Sequence, residues 1–235
     1  MELTDAQMEV LIELLELLTE AKKASGGMPE APANVDTSSE HKSLRYPAIF
    51  FDEIRPLFAG GKLTHKQVAG IEKKLEVFVS TGNAVSHAAY KLATSFHETA
   101  QRMQPVREGL NASDNWRKKN LRYYPWYGRG DVQLTWETNY RKVDEEFGLG
   151  GALILNPDKA LETELSAKVL DRGLEKGWFG PKPLSAYLPN PIGTKEQFEQ
   201  ARRTVNIMDK ASLIAGYAEK FQSALLKGGY KGKVV

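Results

Sequence analysis

The chain has 235 residues, of which 41% are hydrophobic and 26% charged, and its formal net charge is +2. This composition is that of a globular protein and excludes a fibrous or disordered chain, and the absence of cysteine excludes disulfides, thiolate metal sites and a cysteine nucleophile. So balanced a charge gives no reason to expect a nucleic-acid partner, although mild basicity suits an anionic polymer.

No stretch of about 18 consecutive apolar residues occurs, so no integral membrane segment is predicted. The N-terminus opens with acidic residues, whereas a secretory signal opens with a basic segment and an apolar run. We therefore expect the protein to be made in the cytoplasm without a signal peptide.

The first 44 residues are predicted to lie outside the main domain. Residues 3–24 place leucine, valine and alanine at helical spacing and glutamates on the opposite side, which predicts an amphipathic helix over residues 1–24. It is interpreted as a helix that docks on its own domain, on a partner, or on a second copy of itself. Membrane binding is disfavoured because interfacial helices usually carry Lys or Arg on the polar face. Residues 25–44 are rich in Gly, Pro, Ala and Ser and predict a linker.

A mainly helical domain is predicted over residues 45–227, followed by a loose basic tail over residues 228–235. Thr64 and Gln67 form a capping box for a helix that runs to about Val79, and Thr194 and Gln197 form another at the start of a later helix. Asn83 is expected to cap a second helix, which Pro105 ends. The alternation over residues 131–136 predicts a short β-turn or hairpin with a helix to about residue 147 after it. Further helices are predicted over residues 161–176, 194–205 and 209–226.

The second helix carries Glu98 at the end of a mostly apolar face. A carboxyl group partly desolvated near Phe96 is disfavoured in its charged form, which would keep a proton available for acid catalysis. A single helical glutamate is more often a solvated surface residue, so this feature alone does not establish a site.

Several other chemistries lack the residues that they require. A zinc motif built on His97 and Glu98 needs a second histidine at position 101, which is Gln101, and the other histidines are scattered. We therefore predict no metal site and no cofactor. Gly-x-Ser-x-Gly does not occur, and Gly128-Arg129-Gly130 lacks the third glycine of a dinucleotide loop, which disfavours acyl and phosphate chemistry.

Residues 104–130 lack helical periodicity and combine tryptophan and tyrosine with lysine and arginine. Long loops of this kind are often functional. Hydrolysis of a glycosidic bond needs a proton donor, a group that activates water, and aromatic and hydrogen-bonding surfaces that hold sugars. The chain supplies all of these near Glu98.

Two stretches together resemble the paired signature of the family 19 glycoside hydrolases: SFHETAQRMQPVRE and YYPWYGRGDVQLTWETNY. That family comprises the lysozyme-like chitinases and their phage and prophage endolysin relatives. Weaker matches extend from FFDEIRPLFAGGKLTHKQVAGIE to ARRTVN at residues 201–206. The resemblance implies a lysozyme-like helical domain with a small β-hairpin at the cleft, and cleavage of β-1,4-linked N-acetylated aminosugar chains.

The resemblance also implies roles for individual residues. Glu98 is the expected general acid, and Ile207 stands where the family commonly has glycine. Trp136 and Tyr140 are expected in the core. The implied substrate-binding side chains that line the sugar cleft are Tyr127, Arg129, Gln133, Thr135, Asn139, Arg203 and Asn206.

A second carboxylate is needed as general base, and Glu108 is our first choice. Asp114 is the second candidate and Asp131 the third. Inverting chemistry is expected, with the two carboxyl groups roughly 6.5 to 9.5 Å apart, whereas a spacing of about 5 Å would suit retention.

The expected substrate is bacterial cell-wall peptidoglycan, because disulfides and a secretory signal are absent and residues 115–130 contain many basic and no acidic side chains. We therefore expect an endolysin-type, bacteriolytic hydrolase that reaches the wall after release or delivery by a phage or prophage system. Two alternatives stay open at this stage: a chitinase that acts on chitin, and a non-catalytic wall-binding or virion module.

Overall fold

The computed structural model describes residues 42–233, and the helix predicted over residues 3–24 and most of the linker lie outside that range. The described part is mainly helical with one two-stranded antiparallel sheet, which confirms the predicted fold class. In residues 42–233 the helices are α1 (Pro47–Ile54), α2 (His65–Ser80), α3 (Val85–Glu98), α4 (Asp114–Asn120), α5 (Glu137–Glu146), α6 (Ala152–Leu155), α7 (Thr163–Glu175), α8 (Lys195–Ala201) and α9 (Ala211–Lys227). Strand β1 (Val106–Arg107) pairs with β2 (Arg129–Gly130).

Two of the predicted capping boxes are confirmed. Thr64 accepts a hydrogen bond from the Gln67 amide at the start of α2, while the Gln67 side chain accepts one from the Thr64 amide. Thr194 and Gln197 make the same pair of bonds at the start of α8. Each box satisfies two backbone donors that have no partner within the helix, and so fixes where the helix begins.

Helix α3 is the central element, because it is buried on nearly every side. Helix α9 packs along it and presents the small residues Ala215 and Ala218 to the core. Near the C-terminal end of α3, the Phe96 ring meets Tyr217 edge-on, with ring centroids 4.8 Å apart. Glu98 is thus the last residue of a helix that the core holds firmly.

A buried ionic network ties the first half of α3 to α7. Lys91 is fully buried, and its Nζ donates to Asp171 at 2.7 Å and to Glu175 at 2.6 Å. Asn83 joins this network through Asp171, at 2.9 Å, and through Lys91. The prediction that Asn83 caps α3 is therefore wrong. Ala84 holds the cap position, and the Asn83 side chain instead forms hydrogen bonds with the buried charged residues Asp171 and Lys91.

The tail that was predicted to be loose is packed over residues 228–233. The Tyr230 ring is buried, its backbone bridges to Leu44, and the Lys231 amide donates to the Ser43 carbonyl at 2.9 Å. Leu44 belongs to the core and not to the linker, because only 1% of its surface is exposed. The cause of the error is Tyr230, which anchors a segment whose glycines and lysines otherwise indicate a coil.

We predict that Gly70→Ala destabilises the protein by about 2 kcal/mol, as overpacking of a filled site does. A Cβ atom on Gly70 in α2 would lie 1.9 Å from the Met103 carbonyl oxygen, so backbone would have to move. The matched control is Gly216→Ala in α9, where nothing lies within 4 Å and the gain in helix propensity should stabilise by up to about 1 kcal/mol. Urea unfolding of both variants measures the difference, and equal effects would contradict this packing.

We also predict an acid-dependent loss of stability at Glu175. Burial alone would raise the pKa of Glu175, but His87 and Lys91 outweigh burial and lower this pKa to about 2. The stabilisation is therefore present above the unfolded pKa of about 4.5 and is lost as the pH falls towards 2. Between pH 6 and pH 2.5 the free energy of unfolding should fall by on the order of 2 kcal/mol more in the wild type than in Glu175→Gln. The exposed Glu219→Gln should show the same pH dependence of the free energy of unfolding as the wild type. If Glu175→Gln also showed it, the Glu175 carboxylate would not be the source of the acid-dependent loss.

Candidate active site

The C-terminal end of α3 presents Glu98 to a buried arginine. The Glu98 side chain is 19% exposed, and its Oε1 accepts a hydrogen bond from Arg202 Nη1 at 2.8 Å. Arg202 is 2% exposed, and its Nε donates to the Asp209 carbonyl oxygen at 2.9 Å. The Arg202 guanidinium therefore fixes the orientation of the Glu98 carboxylate while part of that carboxylate remains open to solvent.

Sequence reasoning chose the neighbouring Arg203 and missed Arg202. Arg203 is exposed, and its Nε donates to Gln200 and not to Glu98. The sequence carries a signal that Arg202 is buried, because Phe198 and Ala201 are apolar and position 202 continues their helical face at the i+4 spacing.

Asn206 was predicted to line the cleft, and the structure places it on an exposed turn. Its Oδ1 accepts a hydrogen bond from the backbone N–H of Ile207 at 2.7 Å. Ile207, which replaces the common glycine, has a side chain that is 85% exposed. Neither residue contacts Glu98 through a hydrogen bond.

Glu108 follows strand β1 and is held at both carboxylate oxygens. Tyr123 donates its hydroxyl to Oε1 at 2.6 Å, and the Gly128 backbone N–H donates to Oε2 at 2.9 Å. The hydrogen bond to Glu108 is the main cause that raises the pKa of Tyr123 to about 12, so this phenol keeps its proton at neutral pH. Glu108 is half-buried and has a single, well-defined orientation.

Gly128 leaves room for two predicted site residues. A Cβ atom at this position would lie 2.7 Å from Gln133 Oε1 and 3.2 Å from Glu108 Oε2. Gln133 itself has a left-handed φ of 55°, which is uncommon for a residue with a side chain, and its Nε2 donates to the Val106 and Gly130 carbonyl oxygens. A side chain at the first glycine of the Gly-Arg-Gly motif would therefore crowd both Gln133 and Glu108.

Thr135 and Asn139 lie directly after Gln133 and are both half-buried. Thr135 Oγ1 donates to the Gln133 carbonyl oxygen at 2.7 Å, and Asn139 Nδ2 donates to the Thr135 carbonyl oxygen at 2.9 Å. Hydrogen bonds therefore link these three predicted residues to one another.

Tyr127 and Arg129 are buried and contact each other. Arg129 is 4% exposed, and its guanidinium lies 3.6 Å from the centre of the Tyr127 ring. Its Nε pairs with Asp158 at 2.8 Å, and its Nη1 donates to the Tyr140 hydroxyl at 3.0 Å. Both predicted substrate ligands are therefore buried and engaged with other parts of the protein.

Trp136 is 45% exposed, so the prediction that it lies in the core is wrong, while Tyr140 is fully buried as predicted. The Trp136 backbone has a φ of 74°, which turns the residue outward. Its ring meets Tyr123 edge-on at 4.8 Å, and the Arg122 guanidinium lies 5.3 Å from the ring centre. Since Tyr123 also binds Glu108, an exposed aromatic surface lies next to this carboxylate.

The two other candidate bases have different environments. Asp131 is fully buried, pairs with Lys74 at 2.8 Å, and accepts hydrogen bonds from Ser95 and Ser166. It is a core charge without access to solvent. Asp114 is exposed at the start of α4 and accepts a hydrogen bond from the Tyr124 hydroxyl at 2.9 Å.

No three histidine, aspartate or glutamate side chains in residues 42–233 are grouped so that they could hold a metal ion. Within the same range, every helix is too short or too polar to cross a bilayer.

No protein-family model and no curated protein matches the chain. Among solved structures, chitinase C from Streptomyces griseus HUT6037 is 18% identical, with a TM-score of 0.49 over 85% of this chain and 98% of that chain. A mutant of chitinase C is 18% identical, with a TM-score of 0.48 over 78% of this chain and 93% of that chain. Both likenesses are distant, so the chemistry of the site rests on its own contacts.

We predict that Arg202→Ala destabilises the protein by about 2 kcal/mol, because it removes a buried guanidinium and leaves the half-buried Glu98 without its partner. Arg203→Ala is the matched control and should change stability by no more than about 0.5 kcal/mol, as exposed substitutions do. Thermal and urea unfolding measure both. A larger loss in Arg203→Ala would contradict the placement of the two arginines.

Proposed function

We propose that this protein is a glycoside hydrolase that cleaves β-1,4-linked N-acetylated aminosugar chains by acid/base catalysis with inversion. The observation that carries the proposal is a pair of partly exposed carboxylates, Glu98 and Glu108, each of which other elements hold in place. Arg202 holds one, while Tyr123 and Gly128 hold the other. The motif resemblance to family 19 glycoside hydrolases supports the role of Glu98, and Glu108 is our first choice for the second carboxylate.

Glu98 is the proposed general acid. Arg202 engages Oε1, and we assign Oε2 to the transfer of a proton onto the glycosidic oxygen as the bond to the anomeric carbon breaks. A bound sugar chain would exclude water from this step.

Glu108 is the proposed general base. In this role it takes a proton from a water molecule as that water attacks the anomeric carbon from the face opposite the leaving group. The hydrogen bonds from Tyr123 and Gly128 hold the Glu108 carboxylate in one orientation for this step. Gln133, Thr135 and Asn139 are proposed to orient this water and the acetamido group.

Trp136 is proposed to hold a sugar ring. Exposed aromatic rings bind the apolar faces of sugars, and this ring is 45% exposed beside Tyr123 and hence beside Glu108. This role replaces the core position that its sequence pattern indicated.

We propose peptidoglycan as the polymer and an endolysin-type role, in which the protein reaches the wall by phage or prophage release or delivery. The basic loop of residues 115–130 supports an anionic substrate, although salt screens exposed charges beyond about 8 Å. A chitinase is the closest alternative, since chitin has the same linkage. A non-catalytic wall-binding or virion module is less well supported, because binding alone does not require a carboxylate fixed by a buried arginine.

We predict that Glu98→Gln lowers kcat by on the order of 10³-fold and leaves sugar binding intact, because it keeps the shape of the side chain and removes its proton. Glu108→Gln should lower kcat to a similar extent, and the matched Asp114→Asn should retain activity. Reducing-end release and calorimetric binding of a chitin oligomer measure both effects. Full activity in Glu98→Gln would remove it as the acid, and a loss confined to Asp114→Asn would move the base to Asp114.

We further predict that the purified protein releases reducing ends from bacterial sacculi faster than from chitin oligomers at equal sugar concentration. The two polymers share the scissile linkage, so the difference in rate measures the effect of the substituents that only the wall polymer carries. Activity on chitin alone would reject the endolysin role and favour the chitinase. Binding to sacculi without release from either polymer would favour the non-catalytic module.

A further inference from the structure

A concave site borders strand β1. It has a volume of about 530 Å³ and is lined by Arg102, Val106, Arg107, Asp114, Arg117 and Tyr127, among others. The Glu108 carboxylate, which follows Arg107 in the chain, instead accepts hydrogen bonds from Tyr123 and Gly128. We call the concave site the arginine cavity.

Arg117 gives the arginine cavity a buried positive charge. Only 5% of this residue is exposed, and it donates to two backbone carbonyl oxygens, those of Glu108 at 2.9 Å and Gly109 at 3.0 Å. No carboxylate in the part of the chain that the structure describes lies within ion-pair distance of it. A buried charge is costly unless it is paired, so this one favours an anionic ligand.

The other charges of the cavity add to this preference. Arg102 is exposed and makes no ion pair with the residues that the structure describes. Arg107 pairs with Asp158 at 2.6 Å, but Asp158 also pairs with Arg129. Burial alone would raise the pKa of Asp158, yet the hydrogen bonds from the two arginines outweigh it and lower this pKa, so one negative charge is shared between two positive ones.

We infer that the arginine cavity binds the acidic peptide that substitutes the glycan of the bacterial wall, through a carboxylate of that peptide. This inference rests on the proposed function, because it names the part of peptidoglycan that chitin lacks. Planar guanidinium groups bind carboxylates through paired hydrogen bonds. The cavity also offers apolar surface from Val106 and Leu110, which suits the methyl groups of alanine.

Asp114 favours a peptide over a phosphate polymer as the source of the anion. Its exposed carboxylate lies on the wall of the same cavity and would repel a polyanion. Wall peptides carry an amino group as well as carboxylates, and Asp114 can accept a hydrogen bond from that amine. The combination of the arginines with Asp114, which makes no ion pair within residues 42–233, therefore matches a zwitterionic peptide.

Calorimetric titration of the full chain with the tripeptide L-alanyl-γ-D-glutamyl-L-lysine tests the inference. We expect binding that weakens as salt is raised, and no binding of the same tripeptide with its carboxylates amidated. Arg102→Ala should weaken binding about tenfold, and Arg102→Glu should abolish it. The matched control is Arg45→Ala, an exposed arginine outside the cavity, which should bind as the wild type does.

Three results would overturn the inference: no binding of the acidic tripeptide, equal binding by the wild type and both Arg102 variants, or binding of inorganic phosphate in preference to the tripeptide. The last result would assign the cavity to phosphate polymers. The titration requires no bond cleavage. A failure here is therefore distinguishable from a failure of the acid/base proposal, which would show as full activity in Glu98→Gln.

Discussion

The ion pair between Glu98 and Arg202 is the contact on which the proposed chemistry depends. It joins the end of the central helix α3 to the turn after α8, and Arg202 is almost fully buried. Because a buried guanidinium has little freedom, it holds the carboxylate in one orientation. The packing of α3 against α9 and its ionic network with α7 position the carboxylate itself. Much of the core therefore serves to place one acidic side chain at the edge of solvent.

The second carboxylate, that of Glu108, is positioned by the short strand β1, which it follows. Glu108 accepts hydrogen bonds from the Gly128 amide and the Tyr123 hydroxyl. A side chain at Gly128 would crowd both Gln133 and Glu108. The residue before Glu108, Arg107, is the last of β1 and lines the arginine cavity. If both proposals hold, these two adjacent residues would bind two parts of the substrate: the glycan linkage and the peptide that is attached to it.

Local signals predicted the helical domain well, since the capping boxes at Thr64 and Thr194 depend only on residues three apart. The sequence also identified Glu98 and Glu108 as candidate catalytic carboxylates. It did not predict the position of side chains whose burial depends on residues distant in the sequence. The family resemblance implies a place in the cleft for Arg203, whereas helical periodicity places the Arg202 side chain in the protein interior. Trp136 follows an apolar pattern, but its positive φ turns it outward, and Tyr230 packs on Leu44, which lies far away in the sequence.

Proton NMR of the first products from a chitin oligomer or from solubilised wall glycan tests the central claim most directly, because it reports on the acid and the base together. If Glu98 donates a proton while Glu108 activates water on the opposite face, the newly formed reducing end appears first as the α-anomer and then equilibrates with the β-anomer. Initial appearance of the β-anomer would mean retention of configuration and would contradict the roles assigned to Glu98 and Glu108.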